Sequence, residues 1–382
     1  MSMSLEGRDP VVIIAGTPWD GMSASERQLG AKLAAFAPVV YVDPPIMKVW
    51  PWLRGPQIDW PHQGVMRIVP NGLRGMYRQV LHRAIAPLIA CTVKRELARA
   101  RVEPRAIIVA APLAVLSHFP GVPRVVYATD DWIAGAGLMG LPEDRMRWIQ
   151  RRHLATADMV IAVSDDLAAH YRSFGHPAVE AVANGCDLGA LADVDSVEPA
   201  RDVDLQKPIA GFLGNLSDRI DLGFLEAVVD RGVSTLLVGP RRANFGGARF
   251  DQLIARPNVR WVGPQPYERM PSYLQLIDVG LTPYAPTKFN MASLPLKTIE
   301  YLAAGRASVA TDLPAIRSLG IDLIDIETTP ESFATAVEKA LAIPRTSQLV
   351  AARRAAAAPH AWERKAQHVA GLLGLVGPTS GA

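Results

Sequence analysis

The fold is decided by residues 290–305, which read Asn-Met-Ala-Ser-Leu-Pro-Leu-Lys-Thr-Ile-Glu-Tyr-Leu-Ala-Ala-Gly. Ser293 is a candidate N-cap, Pro295 suits a first helical turn, and Gly305 is a typical helix stop. Apolar side chains recur at helical spacing between Pro295 and Gly305. The stretch is therefore predicted to form one short, buried helix.

Lys297 and Glu300 define a candidate binding face on this helix, because residues three apart project from the same side. At a helix amino terminus, unpaired N–H groups and the helix dipole favour an anion such as phosphate. An exposed surface ion pair, which stabilises a helix by about 0.2–0.5 kcal/mol, would explain the same two residues. The flanking sequence favours binding. Apolar strands are predicted at 279–284 and at Ala307–Ala310, and ligands of such βαβ units sit at the carboxyl ends of the strands.

The segment from Asp278 to Gly305 resembles the donor-binding segment of glycosyltransferases with the GT-B fold, particularly family 4 and its relatives among bacterial envelope and exopolysaccharide enzymes. The resemblance lies in Asp278-Val279, Pro283-Tyr284, Pro295-Leu296-Lys297 and Glu300-Tyr301-Leu302-Ala303-Ala304-Gly305. In that family the helix glutamate holds the nucleotide ribose, and a nearby lysine or arginine neutralises the diphosphate. The resemblance assigns these roles to Glu300 and Lys297 and places Tyr284 among the donor-binding residues. Ala292 stands where many members have a second glutamate, so the stereochemical outcome stays open.

The composition limits the class of protein. With 382 residues, 49% of them hydrophobic, the chain is long enough for two cores. Its formal charge of +3 and its scattered arginines do not indicate nucleic-acid binding. Cys91 and Cys186 have no neighbouring Cys or His at metal-ligand spacing, so neither a disulfide framework nor a metal site is predicted. The sequence shows no signal-peptide core and no apolar run of about 18 residues, so the protein is expected to be cytoplasmic.

The amino-terminal part is typical of a doubly wound α/β domain. A strand at Val11–Gly16, a helix from about Ser25 to Phe36 and a strand at Val39–Val42 make a parallel βαβ unit. Gly16 and Gly21 do not form a GxGxxG fingerprint, which disfavours a dehydrogenase. An ordinary turn would also explain Gly16. In GT-B enzymes the corresponding loop reaches the interdomain cleft, and the resemblance makes Gly16 a candidate donor contact.

Asp130 and Asp131 follow a predicted core strand at Val125–Ala128 and are the candidate catalytic residues. Adjacent side chains of an extended chain point in opposite directions, so one carboxylate can face a cleft while the other binds backbone. Turn formation alone would explain both. A base or sugar-positioning residue occupies this strand end in the family, so the resemblance favours catalysis, and Asp131 is preferred over Asp130.

Residues 45–83 combine apolar and basic side chains, a pattern that suits a membrane surface. Trp50 and Trp52 alternate with Lys48 and Arg54, and further arginines follow between residues 74 and 83. Burial of the tryptophans beneath a loop of the core explains the pattern equally well. The sequence therefore predicts either peripheral membrane contact or an apolar core segment.

The second domain is predicted to open with a strand at Ile209–Gly214, followed by a loop and a helix that ends near Asp230. Gly214 permits a ligand to approach the backbone closely, and exposed N–H groups there can bind phosphate. Within the resemblance this is the second diphosphate loop. Asn215 is then a polar contact of the donor, and Arg219 is a cation that faces its phosphates.

The predicted fold class is α/β, namely a GT-B protein with two Rossmann-like, doubly wound domains that face a central cleft. Residues 1–200 are predicted to form the acceptor-binding domain, and residues 201–359 the nucleotide-sugar-binding domain. An acidic linker is expected at 193–204. Residues 360–382 are expected to form a helix that crosses back to the first domain, followed by a disordered tail.

The resemblance implies a hexosyltransferase that moves a sugar from a nucleoside-diphosphate sugar to a hydroxyl of a lipid-linked or envelope polysaccharide acceptor. No cofactor or metal ion is predicted, because family members generally stabilise the leaving diphosphate with protein cations and helix dipoles. A GT-B nucleotide-sugar epimerase and a non-catalytic nucleotide-sugar-binding protein are the alternatives. The expected partners are a nucleotide sugar, a glycan or lipid-linked acceptor and, through residues 45–83, a membrane surface, but not nucleic acid.

Overall fold

The computed structural model describes residues 5, 7–21, 25–48, 55–73, 81–137, 139–291 and 295–376. The chain divides into two compact units. Unit 1 comprises Met1–Ala183 and Trp362–Ala382, and unit 2 comprises Asn184–Ala361. Both units are built on parallel β-sheets with helical connections.

The regular elements are numbered in chain order. The strands are β1 (Val11–Ala15), β2 (Val39–Val42), β3 (Ile46–Lys48), β4 (Gln57–His62), β5 (Val65–Val69), β6 (Asn71–Leu73), β7 (Ala106–Ala110), β8 (Arg124–Ala128), β9 (Met159–Ala162), β10 (Val179–Ala181), β11 (Ile209–Leu213), β12 (Ser234–Val238), β13 (Val259–Trp261), β14 (Val279–Thr282), β15 (Ala307–Thr311) and β16 (Ile324–Glu327). The helices are α1 (Ser25–Leu33), α2 (Ile85–Ala100), α3 (Glu143–Thr156), α4 (Asp165–Ser173), α5 (Leu188–Ala192), α6 (Leu222–Asp230), α7 (Gly247–Ile254), α8 (Met270–Leu276), α9 (Lys288–Met291), α10 (Leu296–Ala303), α11 (Pro314–Arg317), α12 (Pro330–Ala342), α13 (Ser347–Ala357) and α14 (Trp362–Leu372).

The main sheet of unit 1 has the strand order β10-β9-β8-β7-β1-β2-β5-β4. Neighbouring strands run parallel except β4, which pairs antiparallel with β5 at the sheet edge. Every residue of β1, β2 and β7 is buried, as parallel strands covered on both faces require. The chain winds outward in both directions from β1, so the loops after β1 and β7 meet at a topological switch point, where such sheets bind ligands.

The last helix belongs to unit 1. α14 buries four side chains in the core of that unit, namely Trp362, Ala366, Val369 and Ala370. An ion pair between Lys32 Nζ of α1 and Glu363 Oε1, at 2.8 Å, also holds it. Unit 2 is therefore inserted into the chain of unit 1.

The two ends of unit 2 lie side by side. The N–H of Cys186 donates to the carbonyl oxygen of His360 at 2.8 Å, and Cys186 forms an isolated parallel bridge with Ala361. The chain thus enters and leaves unit 2 at one place.

Unit 2 has a parallel sheet with the strand order β13-β12-β11-β14-β15-β16. β11, β14 and β15 are wholly buried and β12 is buried beyond its first residue. The strand–helix–strand unit predicted around residues 290–305 is observed as β14, α10 and β15. The carboxyl ends of these strands lie on the same edge of the sheet as the amino terminus of α10.

The first unit boundary lies at residue 184, whereas the sequence placed it between residues 200 and 201. The predicted acidic linker is packed on unit 2. Asp195 accepts a hydrogen bond from Arg306 at 2.7 Å, and Asp202 accepts one from the hydroxyl of Tyr273 at 2.7 Å. The acidic residues Asp195 and Asp202 are therefore hydrogen-bond partners of the buried side chains of Arg306 and Tyr273. The second boundary lies at residue 362, against the predicted 360.

Residues 45–83 contain strands that the sequence analysis did not identify. β5 is buried except for Arg67, whereas β4 is almost wholly exposed and contains Pro61, so its pattern gave no strand signal. Residues 49–54 and 74–80 lie outside the described residues. They include Trp50 and Trp52, so both interpretations of this segment stay predictions.

α10 begins at Leu296 with Pro295 as its N-cap residue, and Gly305 lies just beyond its end with φ of +75°. A positive φ after a helix is typical of glycine, which has no Cβ to clash. The predicted N-cap, Ser293, lies outside the described residues. The helix is as short and as buried as the sequence predicted.

Tyr301 fixes α10 on the sheet. Its ring lies against Gly280 of β14, where a Cβ would come within 2.0 Å of a ring carbon. Its hydroxyl accepts the N–H of Leu213 in β11 at 2.9 Å. The hydroxyl of Thr298 also donates to that of Thr282 at 3.2 Å. The buried face of α10 is therefore tied to β11 and β14.

Replacing Tyr301 with Phe is expected to destabilise the protein by about 1–3 kcal/mol, because the buried N–H of Leu213 loses its acceptor. Urea unfolding measures this loss, and hydrogen exchange should show faster exchange of the Leu213 amide. Tyr273→Phe is the matched control, since its partner Asp202 is exposed and can bind water instead. Equal destabilisation by the two changes would contradict the role given to Tyr301.

Candidate functional site

Lys297 and Glu300 form an ion pair at the amino-terminal end of α10. Lys297 Nζ donates to Glu300 Oε2 at 2.5 Å, and the two side chains keep 25% and 19% of their surface exposed. Pro295 makes no side-chain hydrogen bond to the first N–H groups of the helix. The structure thus joins the two residues that the sequence analysis grouped, beside the positive end of the helix dipole. Their roles in donor binding stay predictions.

A small cavity of about 20 Å³ adjoins this pair. Its other walls come from α5, β11 and α8 and are apolar, namely Ala190, Leu191, Leu213, Met270, Pro271 and Leu274. A space of this size holds about one water molecule. A nucleotide would therefore lie outside it, along the carboxyl edge of the sheet, with Lys297 and Glu300 at its border.

Gly214 lies at a crowded strand end. Its N–H donates to the carbonyl oxygen of Val238 at 2.9 Å. On the next strand, Gly239 has φ of +136°, and a Cβ there would come within 1.9 Å of the Gly214 carbonyl oxygen. The sequence analysis missed Gly239, which the close approach of these two backbones requires to be glycine. Asn215, the predicted polar contact, is exposed beside them.

Arg219 lies beside the ring of Tyr284 and is held by Asn290, which is 1% exposed. Arg219 Nε donates to Asn290 Oδ1 at 2.9 Å, and Asn290 Nδ2 donates to the carbonyl oxygens of Arg219 and Ala285, both at 2.8 Å. The guanidinium lies 5.4 Å from the ring centroid of Tyr284 and 4.7 Å from that of Phe289. The loops after β11 and β14 are therefore joined, with a cation held between aromatic rings. Asn290 opens the stretch that decides the fold, but the sequence analysis gave it no role.

Asp131 is the carboxylate that binds backbone. It is 7% exposed, and its Oδ1 accepts the N–H groups of Ile133 and Ala134 at 3.1 and 2.9 Å. Asp130 is only partly buried. The backbone-binding role that the sequence allowed for one of the two aspartates thus belongs to Asp131, which was the residue preferred for catalysis. Asp130 is thus left as the better catalytic candidate.

His153 of α3 supports this turn. It is fully buried, its Nε2 donates to the carbonyl oxygen of Leu113 at 2.8 Å, and its ring packs edge-on against Trp132 at 5.6 Å. Burial lowers the pKa of His153 to about 4, so the imidazole is neutral at pH 7. It therefore positions the loops after β7 and β8 without adding a charge.

Two buried carboxyl groups border the loop after β1. Glu26, in the first turn of α1, is 4% exposed and accepts a hydrogen bond from Thr17 Oγ1 at 2.8 Å. Burial raises its pKa, and the negative charge of Asp130 raises it further. Asp43 accepts the N–H of Trp19 at 3.0 Å, and burial raises its pKa to about 6. Raised pKa values cluster at functional sites, so this loop, which begins at Gly16, gains support as part of one.

Neither carboxyl group was identified from the sequence. The available signal for Glu26 was its place in the first helical turn after a strand-end loop, where acidic residues are common for the sake of the helix dipole. Because the helix dipole alone explains an acidic residue at this position, the sequence did not indicate that Glu26 is buried. Gly16 itself directly follows β1, and a Cβ there would lie 3.0 Å from the carbonyl oxygen of Ala110. Close packing against β7 therefore explains this glycine, and its donor contact stays a prediction.

Among the described residues, no group of three His, Cys, Asp or Glu side chains is placed to hold a metal ion. In the same part of the chain, no helix has the length and apolar character needed to span a membrane.

The sequence of the second unit matches a known family model. Residues 207–342 match the model described as glycosyl transferases group 1. A relative, the putative teichuronic acid biosynthesis glycosyltransferase TuaH of Bacillus subtilis (strain 168), is 32% identical over 219 residues. That match covers 52% of this chain and 55% of TuaH, so the chain spans about half the length of this relative.

Solved structures share the fold across the chain. Sucrose-phosphate synthase from Thermosynechococcus elongatus aligns with a TM-score of 0.73 at 18% identity, over 96% of this chain and 98% of that chain. HepE of Anabaena, solved in complex with UDP-glucose, aligns with a TM-score of 0.67 at 15% identity, over 96% and 100% of the two chains. The matches confirm the predicted GT-B fold and the predicted resemblance to glycosyltransferases of that fold.

Lys297→Ala and Glu300→Ala are each expected to weaken binding of a nucleoside diphosphate, because each removes one charge-assisted hydrogen bond. Such a bond contributes about 1.5–3 kcal/mol, which corresponds to a loss of affinity of roughly 10- to 150-fold. Calorimetry with UDP measures the affinity, and a thermal melt checks the fold. Arg249→Ala, which breaks an exposed pair with Glu226, is the control. Unchanged affinity in both site variants would remove the donor-site assignment.

Proposed function

We propose that this GT-B chain is a glycosyltransferase that moves a hexosyl group from a nucleoside-diphosphate sugar to the hydroxyl of an acceptor. The observation that carries the proposal is the charged amino terminus of α10 at the carboxyl edge of β14, inside the region that matches the glycosyltransferase family model. A partly exposed lysine and glutamate at such an edge suit the phosphates and the ribose of one nucleotide. HepE, which shares the fold, has been solved with UDP-glucose, and this supports a UDP-sugar as the first donor to test.

The leaving group of this reaction is a nucleoside diphosphate, whose negative charge increases as the glycosidic bond to the sugar breaks. Lys297 and the amino terminus of α10 supply positive charge on one side. Arg219 supplies a second cation, held by Asn290 and two aromatic rings. Preorganised charges of this kind stabilise a transition state without a reorganisation cost. We therefore propose that the reaction needs no metal ion.

The Lys297–Glu300 ion pair would change its partners when the donor binds. Glu300 can accept hydrogen bonds from ribose hydroxyls, and Lys297 can then turn its ammonium toward phosphate. Because both side chains are partly exposed, this exchange needs only side-chain rotation. The pair in the free protein keeps each charge satisfied until the nucleotide arrives.

The acceptor is proposed to be a lipid-linked or envelope polysaccharide. The support is the similarity to TuaH, whose name places it in teichuronic acid biosynthesis. Such glycans present hydroxyl groups, and a hydroxyl group is the acceptor that a glycosyl transfer requires. The products of the assay below identify the sugar and the linkage.

A direct test incubates the protein with UDP-glucose and a panel of other nucleotide sugars, with and without a teichuronic-type or lipid-linked acceptor. Mass spectrometry of the products distinguishes the outcomes. A larger acceptor together with released UDP supports the proposal. A sugar nucleotide of unchanged mass but altered configuration, formed without acceptor, indicates an epimerase instead. No product and no hydrolysis with any donor would contradict an enzymatic function.

Asp130 is proposed as the catalytic carboxylate of unit 1. Asp130→Asn is expected to reduce turnover by about 100-fold or more with little change in donor affinity, as the loss of a base or transition-state contact does. Asp131→Asn is the matched control, because its amide oxygen can still accept the N–H groups of Ile133 and Ala134. Steady-state kinetics with the best donor measure both variants. Normal turnover in Asp130→Asn, or a larger loss in Asp131→Asn, would contradict the assignment.

Peripheral binding to a membrane through residues 45–83 is also proposed. Ile46 of β3 and Ile58 of β4, which precede and follow the segment 49–54 in sequence, are exposed by 42% and 44%. Exposed apolar side chains in a segment whose sequence also holds tryptophans and basic residues suit the interface of an anionic bilayer. Each basic group near such a surface contributes about 1 kcal/mol, so several of them suffice for reversible binding.

The protein is therefore expected to sediment with anionic liposomes, less with neutral ones, and less again at high salt. Replacing both Trp50 and Trp52 with Ser should release it from anionic liposomes while the thermal melt stays unchanged. If the tryptophans are core residues, the same double change lowers the melting temperature. Failure of the parent protein to bind anionic liposomes would refute the membrane proposal.

A further inference from the structure

Four arginines lie near the carboxyl-terminal end of α10, and three of them pair with one aspartate. We call this group the arginine cluster; it consists of Arg306, Arg345 and Arg354, which pair with Asp195, and of Arg353, which contacts Gly305. Arg306 follows the glycine that ends α10, and Arg353 and Arg354 lie on α13. Arg345 lies in the short connection between α12 and α13. Asp195 lies in a 3₁₀ turn at Val194–Ser196.

Two of the arginines are structural. Arg306 is fully buried, its Nη2 donates to Asp195 Oδ1 at 2.7 Å, and its Nε donates to the carbonyl oxygen of Leu274 at 3.1 Å. Arg353 is 8% exposed, and its Nη1 donates to the carbonyl oxygen of Gly305 at 3.2 Å. Each guanidinium therefore contacts a carbonyl at or just beyond a helix carboxyl terminus, where a cation is favourable.

The other two arginines are partly exposed and poorly compensated. Arg345 Nη2 lies 3.4 Å and Arg354 Nη2 lies 3.6 Å from a carboxylate oxygen of Asp195, with 31% and 35% of their side chains exposed. Both distances exceed the roughly 2.7–2.9 Å of a charge-assisted hydrogen bond. Within the described ranges, Asp195 is the carboxylate that pairs with either of them. Three guanidinium groups, including that of Arg306, thus share one carboxylate.

Two buried donor atoms of the cluster have no partner among the described residues, namely Arg306 Nη1 and Arg354 Nε. Buried donors in folded proteins almost always have partners, so each orphan calls for a physical reason. Repulsion is present as well. Burial lowers the pKa values of Arg306 and Arg353, and the positive charge of Arg345 lowers both further. Asp278 and Asp325 offset part of the charge of Arg306 and Arg353, so the excess positive charge lies at Arg345 and Arg354, which share Asp195 with Arg306.

We propose that Arg345 and Arg354, with Arg306 behind them, bind the phosphate group of a ligand beside Asp195. A phosphate carries between one and two negative charges at neutral pH, which offsets the charge excess of the cluster. Planar guanidinium forks match phosphate oxygens in pairs, and they are the usual residues for such recognition. The partial exposure of Arg345 and Arg354 gives the ligand access.

This phosphate site differs from the proposed donor site. The cluster lies past the carboxyl terminus of α10, whereas Lys297 lies at its amino terminus. The eight residue steps from Lys297 to Gly305 correspond to about 12 Å along a helix axis. One diphosphate cannot contact both ends. The proposed phosphate site is therefore separate from the donor site, and it places a second bound anion near the opposite end of α10.

Calorimetric titration with inorganic phosphate, at constant ionic strength, tests the proposal. The parent protein is expected to bind, and the double variant Arg345→Ala/Arg354→Ala is expected to bind at least tenfold more weakly. Arg249→Ala, which removes a surface arginine from a one-to-one pair with Glu226, should stay within twofold of the parent. Lys297→Ala should also retain binding, which excludes the donor site as the source of the signal.

Vesicle sedimentation identifies the source of the phosphate. Binding of free phosphate indicates a soluble phosphorylated ligand. Binding only to phosphatidylglycerol vesicles, lost in the double variant, indicates a lipid head group. A thermal melt checks that each variant is folded. If the alanine variant unfolds, the double variant Arg345→Lys/Arg354→Lys takes its place. It keeps the charge but lacks the guanidinium forks, so it should bind several-fold more weakly than the parent. The proposal is overturned if the parent binds neither probe, if the arginine variants bind like the parent, or if Lys297→Ala abolishes binding.

Discussion

The hydrogen bond from the Leu213 N–H to the hydroxyl of Tyr301 is the interaction on which the donor region of unit 2 depends. The tyrosine ring occupies the space that a side chain at Gly280 would fill, so β14 and α10 approach closely at this point. This space lets the side chain of Tyr301 reach from α10 across β14 to β11. This contact fixes the rotation of α10 about its own axis. With Tyr301 held inward, Lys297 and Glu300 occupy positions on α10 that stay partly exposed.

Charge along α10 follows from the same fixed orientation. Its amino terminus carries a neutralised lysine–glutamate pair, and arginines occupy the region beyond its carboxyl terminus. A helix dipole favours anions at the first end and cations at the second. The carboxyl-terminal arginines therefore serve the helix even without a ligand, and this structural role accounts for the burial of Arg353. It does not account for the excess charge that Arg345 and Arg354 add around Asp195.

The sequence predicted local structure better than it predicted partners. Helical spacing was sufficient to join Lys297 with Glu300, and the position of Asp130 and Asp131 after a strand was sufficient to expect backbone binding by one of them, which is Asp131. The choice between the two aspartates depended on the turn that follows, which residue spacing does not specify. The unit boundary was misplaced for a related reason: the composition around Asp195 resembles a solvated linker, and its partner Arg306 lies more than a hundred residues away. The position of Asn290 likewise depends on contacts with Arg219, which lies in a separate loop.

The insertion of unit 2 into unit 1 has a consequence for biosynthesis. The core of unit 1 needs Trp362 and the rest of α14, which leave the ribosome only after all of unit 2 has been made. Unit 2 has its ends joined at Cys186 and His360, and its sheet uses only strands from within 184–361. Domains generally fold as units in the order of their synthesis. Residues 1–183 therefore cannot complete the core of unit 1 until α14 has been made, and the face that α14 covers stays open while unit 2 folds. An open apolar face exposes the nascent protein to aggregation and to binding by chaperones.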